Sequence, residues 1–312
     1  MNYKPSKLLF NAHLETIYPA LLRRVKFVPY QRERINTPDD DFLDLDWVKQ
    51  KSKRLVIISH GLEGNSHKPY IRGMAKAFHE RGYDILAWNY RGCSGEVNKQ
   101  LRFYHSGATD DLHTVINHAT THGYQEIYLI GFSLGGNITL KYLGEQNSSV
   151  NSILKKAVAI SVPLNLHSSC LKISEPDNII YSKRFLRNLK QKVRDKAKVM
   201  PGRMTTNGIN RLHTLMEFDN VYTAPIHGFK DAVDYYTRCS SLYFLSDIQI
   251  PTLVLNALND PFLAEDCYPV EEYKSHPWVR VETPNHGGHV GFSQFNKHKL
   301  YWSEQRALSF VA

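Results

Sequence analysis

No two cysteines in this chain stand at CxxC spacing, and the four present, Cys93, Cys170, Cys239 and Cys267, lie far apart. That argues against a disulfide framework and against a zinc site, and reads most simply as reduced thiols. Long apolar runs are equally lacking. None approaches the roughly 18 residues that a membrane-crossing helix needs. The N-terminal stretch has no apolar segment of the secretory-leader type, so the expected place of work is the cytoplasm. Internal repeats and low-complexity linkers are missing as well. Acidic residues are nearly absent from one region. Between residues 183 and 203, Lys183, Arg184, Arg187, Lys190, Lys192, Arg194, Lys196, Lys198 and Arg203 face the single acid Asp195. That region carries +8 of the net charge of +9. The basic balance therefore describes one element rather than the whole surface.

What is present is an ordinary globular composition, with 42% hydrophobic and 22% charged residues over 312 positions. A chain of this length can bury about three quarters of its unfolded surface without staples. Apolar runs bounded by turn residues predict strands at 55–59, 83–88, 126–130, 156–161, 251–256 and 279–282. Amphipathic stretches between them predict helices at 71–81, 109–122, 136–146 and 302–310, with Thr109, Asp110 or Asp111 as caps of the second. This alternation is the pattern of a mostly parallel α/β sheet flanked by helices. Extended segments at 25–34 and 42–47 fit antiparallel additions at one edge. From about 164 to 245 the strand rhythm stops and helical segments take over. One domain spanning 1–312, with a helical insertion at about 164–245, accounts for this most simply. Within it Leu186, Leu189, Val193, Ala197 and Met200 form one apolar helical stripe, with the basic residues on the other faces.

Gly131-Phe132-Ser133-Leu134-Gly135-Gly136 follows a predicted strand and opens a predicted helix, the setting a G-x-S-x-G nucleophile elbow requires. Small flanking residues let strand and helix approach closely around a serine on a strained turn. The helix N-terminus offers backbone N–H groups to a developing oxyanion. The loop after strand 55–59 reads Ser59-His60-Gly61-Leu62-Glu63-Gly64, so the backbone N–H groups of Leu62 and Leu134 are the expected oxyanion donors. His60 is expected to fix this loop rather than act as a base. The partners of such a serine follow as an acid and then a histidine. Asp260 lies just past strand 251–256, which is expected beside the nucleophile strand, and no acid follows the strand ending at Ser161. The loop after 279–282 holds two histidines, His286 and His289, either of which could be the base. Read as metal ligands they find no companion cluster, so neither metal nor organic cofactor is expected.

The sequence resembles the YheT-like branch of α/β-hydrolases, the AB hydrolase 4 family. The resemblance rests on Asn11-Ala-His-Leu-Glu-Thr-Ile near the start, His60-Gly-Leu-Glu-Gly, Asn89-Tyr-Arg-Gly-Cys-Ser-Gly and Gly131-Phe-Ser-Leu-Gly-Gly-Asn137. It continues through Phe218-Asp219, Gly228-Phe229, Tyr235-Tyr236, Asn259-Asp-Pro-Phe and Gly287-Gly-His-Val-Gly-Phe. Glu15 stands where the family pattern suggests glutamine. The resemblance implies an α/β-hydrolase fold with a helical cap and a Ser–Asp–His triad at Ser133, Asp260 and His289. Eukaryotic members of the family act on acylglycerols and phospholipids.

These readings converge on a serine hydrolase that cleaves carboxylic esters through an acyl-Ser133 intermediate. Acyl transfer with the same triad is the alternative within enzymes, and lipid binding without turnover is the alternative outside them. The expected partner is a small-molecule or lipid ester. The basic helix is read first as a cap whose lysines are simply solvated, and second as a surface that meets anionic membrane. Nucleic acid is not expected, because no binding motif accompanies the charge.

Overall fold

The computed structural model describes residues 3–26 and 29–312. Eight strands form one sheet: β1 (Gln31–Asn36), β2 (Phe42–Val48), β3 (Arg54–Ser59), β4 (Asp84–Asn89), β5 (Glu126–Phe132), β6 (Leu154–Ile160), β7 (Thr252–Leu255) and β8 (Val279–Glu282). Their order is β1-β2-β4-β3-β5-β6-β7-β8. The β1–β2 and β2–β4 pairs are antiparallel and the rest are parallel. The central strands are apolar on both faces, as a sheet covered on both sides demands. On one face Leu55, Ile57, Leu129 and Ala157 pack under α3 (Thr109–Thr120) and α4 (Leu134–Gln146). On the other, Val56, Ile58, Ile130 and Val158 pack under α2 (Pro69–His79) and α10 (Trp302–Val311). The alternation of these residues along each strand divides one sheet between two cores.

The edge additions are present as an antiparallel pair. Of the segment expected to be extended at 25–34, positions 27 and 28 lie outside the described residues, and the strand begins only at Gln31. An element that the hydrophobic pattern did not signal precedes it: α1 (Ala12–Leu22), capped by the Asn11 side chain, which accepts from the Leu14 N–H at 2.8 Å. Neither Asp110 nor Asp111 caps α3, whose N-cap is Ala108. They are ion-pair partners instead. Asp111 takes Arg91 at 2.7 Å in a buried cluster with Asp41, and Asp110 takes Arg102 at 2.8 Å.

Between β6 and β7 the chain runs through α5 (Leu166–Ile173), α6 (Ile179–Val199), α7 (Leu215–Phe218), a π-turn (Asp219–Thr223), α8 (Ala224–Ile226) and α9 (Ala232–Cys239). These share a third core, with Leu186, Val193, Phe218, Tyr235 and Tyr236 packed on Phe262 and Phe103 of the sheet domain. The lysines of α6 are not all solvated. Lys196 is fully buried and donates to the carbonyls of Asn98 and Gln100, while Lys192 meets Glu63 at 3.0 Å. Asn98 and Gln100 present their carbonyls to this helix, so part of the positive charge is spent inside the molecule. Lys183, Arg184, Arg187, Lys198 and Arg203 remain exposed. Among the described residues no helix is long and apolar enough to cross a membrane.

Candidate active site

Ser133 stands between the end of β5 and the first residue of α4, with φ 53° and ψ −121°. That conformation is sparsely populated for a residue with a Cβ and persists only where surroundings impose it. The Ser133 N–H donates to the Ile160 carbonyl at 2.8 Å, and its carbonyl accepts from Asn137 N–H at 3.0 Å. A Cβ at Gly135 would come within 2.5 Å of the Ser59 and His60 carbonyl oxygens, so only glycine lets α4 start this close to β3. Asn137, fully buried, donates to the carbonyls of Ser106 and Cys239 and accepts from the Ser241 N–H. It ties α4 to the chain at Ser106 and at Cys239 and Ser241.

The structure brings the three expected side chains together. The Ser133 hydroxyl donates to His289 Nε2 at 3.0 Å, and His289 Nδ1 donates to Asp260 Oδ2 at 2.9 Å. Asp260 is buried and also accepts from the Phe262 N–H at 2.9 Å, which fixes the carboxylate plane. The Phe262 ring lies against the imidazole, with centroids 4.3 Å apart. One expectation of placement fails: β7, the strand that precedes Asp260, is not beside β5. β6 lies between them, and the loop after β7 makes up the distance. His286 stays outside this group. It faces Glu15 at 3.3 Å and is half exposed.

The loop holding His289 is built largely by residues that sequence reasoning left without a role. Thr16 Oγ1 accepts from the His289 N–H at 2.9 Å. Glu15, fully buried, accepts from the Gly287 N–H at 2.5 Å and from Asn259 Nδ2 at 3.1 Å. Asn259 in turn accepts from the Gly288 N–H at 3.0 Å. Gly288 takes φ 55°, and a Cβ there would sit 2.7 Å from Thr16 Oγ1. The Ser161 hydroxyl accepts from the Val290 N–H at 2.8 Å. The signal was in the Asn11-to-Ile17 motif: its first residue caps a helix whose next turn carries Glu15 and Thr16.

Leu62 and Leu134 both line the cavity that holds Ser133 and His289. Leu134 is the first residue of α4, where backbone donors lack intrahelical acceptors. The N–H groups beside Leu62 are occupied: Gly61 donates to the Tyr70 hydroxyl and Glu63 to the Tyr104 hydroxyl. The Leu62 N–H has no protein acceptor among the described residues. His60 lies under this loop. Its Nδ1 donates to the Gly61 carbonyl at 2.8 Å, and its Nε2 accepts from the Tyr90 N–H at 3.3 Å. Burial pushes its pKa down to about 3, so the ring is neutral.

The cavity holds about 140 Å³ and is mainly apolar, with Ile173, Phe185, Leu189 and Leu215 from the inserted helices. Its polar wall is Asp219, which accepts from Thr223 and Tyr236 at 2.5 and 2.6 Å. Burial raises the Asp219 pKa to about 6, against the pull of those two donors. Burial likewise holds Cys170 as a thiol, with its pKa raised to about 12.

A sequence model of the family described as serine aminopeptidase, S33, matches residues 50–267. The chain is 35% identical over 311 residues to YheT of Escherichia coli, covering 97% of this chain and 90% of that protein. It is 28% identical to the phospholipase ABHD3 of Bos taurus, over 93% of this chain and 73% of the relative. The Pyrococcus furiosus esterase Pf2001 superposes with a TM-score of 0.62 at 18% identity, over 93% of this chain and 94% of that one. At that identity the likeness speaks for the fold alone.

Proposed function

The chain belongs to the serine aminopeptidase S33 family of α/β-hydrolases, and on that premise we propose that it hydrolyses carboxylic esters of apolar acids through an acyl-Ser133 intermediate. His289 takes the Ser133 proton as Oγ forms its bond to the ester carbonyl carbon. The carbonyl electron pair moves to oxygen, where the N–H groups of Leu62 and Leu134 receive it. As the tetrahedral adduct collapses, the carbon–oxygen bond to the alcohol breaks and His289 protonates the departing alkoxide. Water then repeats the sequence on the acyl-enzyme and restores Ser133. Asp260 holds the imidazole by its Nδ1–H and stabilises the imidazolium. The observation that carries this reading is the unbroken hydrogen-bonded chain from Ser133 through His289 to buried Asp260.

The inserted helices act as a cap. They supply the apolar wall against which an acyl chain would lie and screen the carbonyl from bulk water. An apolar wall favours ester over peptide substrates, and the phospholipase named among the relatives agrees with a lipid ester. The test is turnover of p-nitrophenyl esters from acetate to palmitate by wild type and Ser133→Ala. Wild type is expected to prefer the acyl length that fits the cavity, with Ser133→Ala down by at least about 10³-fold in kcat. Equal turnover by the two proteins would refute the proposal.

A further inference from the structure

Away from this site, three side chains converge where the edge strand β1 crosses the end of α3. His118 lies in the last turn of α3 and His122 just beyond it, one helical turn apart. Glu33 reaches them from β1. The two Nε2 atoms are 3.3 Å apart, and His118 Nε2 is 3.1 Å from Glu33 Oε1. All three ligand atoms lie within 4.8 Å of one another. Tetrahedral zinc with bonds of about 2.0–2.1 Å sets its ligand atoms about 3.3–3.4 Å apart. The separation of the two histidine nitrogens matches, and that of His118 from Glu33 is slightly shorter. One proton on His118 Nε2 can bond well to either neighbour, whereas a divalent ion bonds to both and to Nε2 itself.

The side chains are also held in place. Trp47 Nε1 donates to Glu33 Oε2 at 2.7 Å, leaving Oε1 turned to the histidines. The His122 ring packs against Trp47 with centroids 5.1 Å apart. Such outer contacts orient metal ligands. Two imidazoles and one carboxylate suit a zinc-like ion better than calcium or magnesium, while Lys49, over the Trp47 ring at 4.1 Å, opposes any incoming cation alike. We propose that Glu33, His118 and His122 form a surface site for a zinc-class divalent ion, with the fourth position open to water. Bound there, the ion clamps edge strand β1 to α3.

The test titrates Zn²⁺ into the metal-stripped full chain by calorimetry and repeats it with His118→Ala, His122→Ala and His122→Gln. The expected result is one ion per chain, with affinity lower by at least about tenfold in each variant, since even loss of an outer-shell partner costs about 10–100-fold. At one Zn²⁺ concentration the melting temperature of wild type should rise more than that of any variant. Ester turnover without added metal should be the same in all four proteins, which separates loss of the site from loss of the fold. Failure of Zn²⁺ to bind saturably, or binding that survives all three substitutions, would overturn the proposal. In crystals soaked with Zn²⁺, the anomalous peak belongs between Glu33, His118 and His122. A peak at His289 instead would overturn it too.

Discussion

At the scale of single residues, the groups around Ser133 are set by where charge is tolerated. His60 is buried without an acid and is neutral. His289 instead has the Asp260 carboxylate 2.9 Å from its Nδ1, the contact on which the proposed mechanism relies. Asp219 sits between these cases, with hydroxyl donors and, among the described residues, no cation paired to it. Its pKa stands near 6 in the folded protein against an ordinary 3.8. The folded state therefore holds this proton more tightly than the unfolded chain. The stability it contributes is full below about pH 4 and is lost as pH rises through 6. Melting curves of wild type and Asp219→Asn should diverge across that window. Wild type is expected to lose about 1–3 kcal/mol relative to the variant between pH 4 and 7. Parallel curves would contradict the assignment. The Phe218-Asp219 motif was visible in the sequence, but its burial was not, because nothing in a one-turn helix announces which face the cavity will meet.

At the scale of elements, the molecule depends on α1, the helix that the pattern of apolar residues did not reveal. Its face toward the core is Glu15, Thr16 and Pro19, a polar set that no hydrophobic period can flag. Yet this face sets the position of His289. Thr16→Val keeps the shape and removes the acceptor of the His289 N–H. We expect kcat to fall by about tenfold, roughly the cost of one lost hydrogen bond. KM should be unchanged, and Thr16→Ser should restore the rate. A rise in KM at constant kcat would instead place Thr16 in substrate binding. The elbow was legible for the opposite reason: Gly131, Ser133 and Gly135 are required by local geometry, and local geometry is what a sequence displays. The α6 lysines show the limit. Their spacing gave an amphipathic helix, but the Asn98 and Gln100 carbonyls that receive Lys196 come from a loop 96 to 98 residues earlier.

At the scale of the whole molecule, the mostly parallel sheet flanked by helices could be read from apolar rhythm and turn residues. The position of β6 between β5 and β7 could not, since strand order is a tertiary property. Two cores hold the sheet, and the third, made by the helices between β6 and β7, is joined to the loop after β3 through Lys192 and Glu63. The whole arrangement converges on one claim, that Ser133 is a nucleophile activated through His289. The most direct test is reaction with a fluorophosphonate followed by peptide mass mapping. A single adduct on the Ser133 peptide is predicted, abolished in Ser133→Ala and slowed by at least about 10³-fold in His289→Ala. An unlabelled wild-type protein, an adduct on another serine, or labelling indifferent to His289 would contradict it.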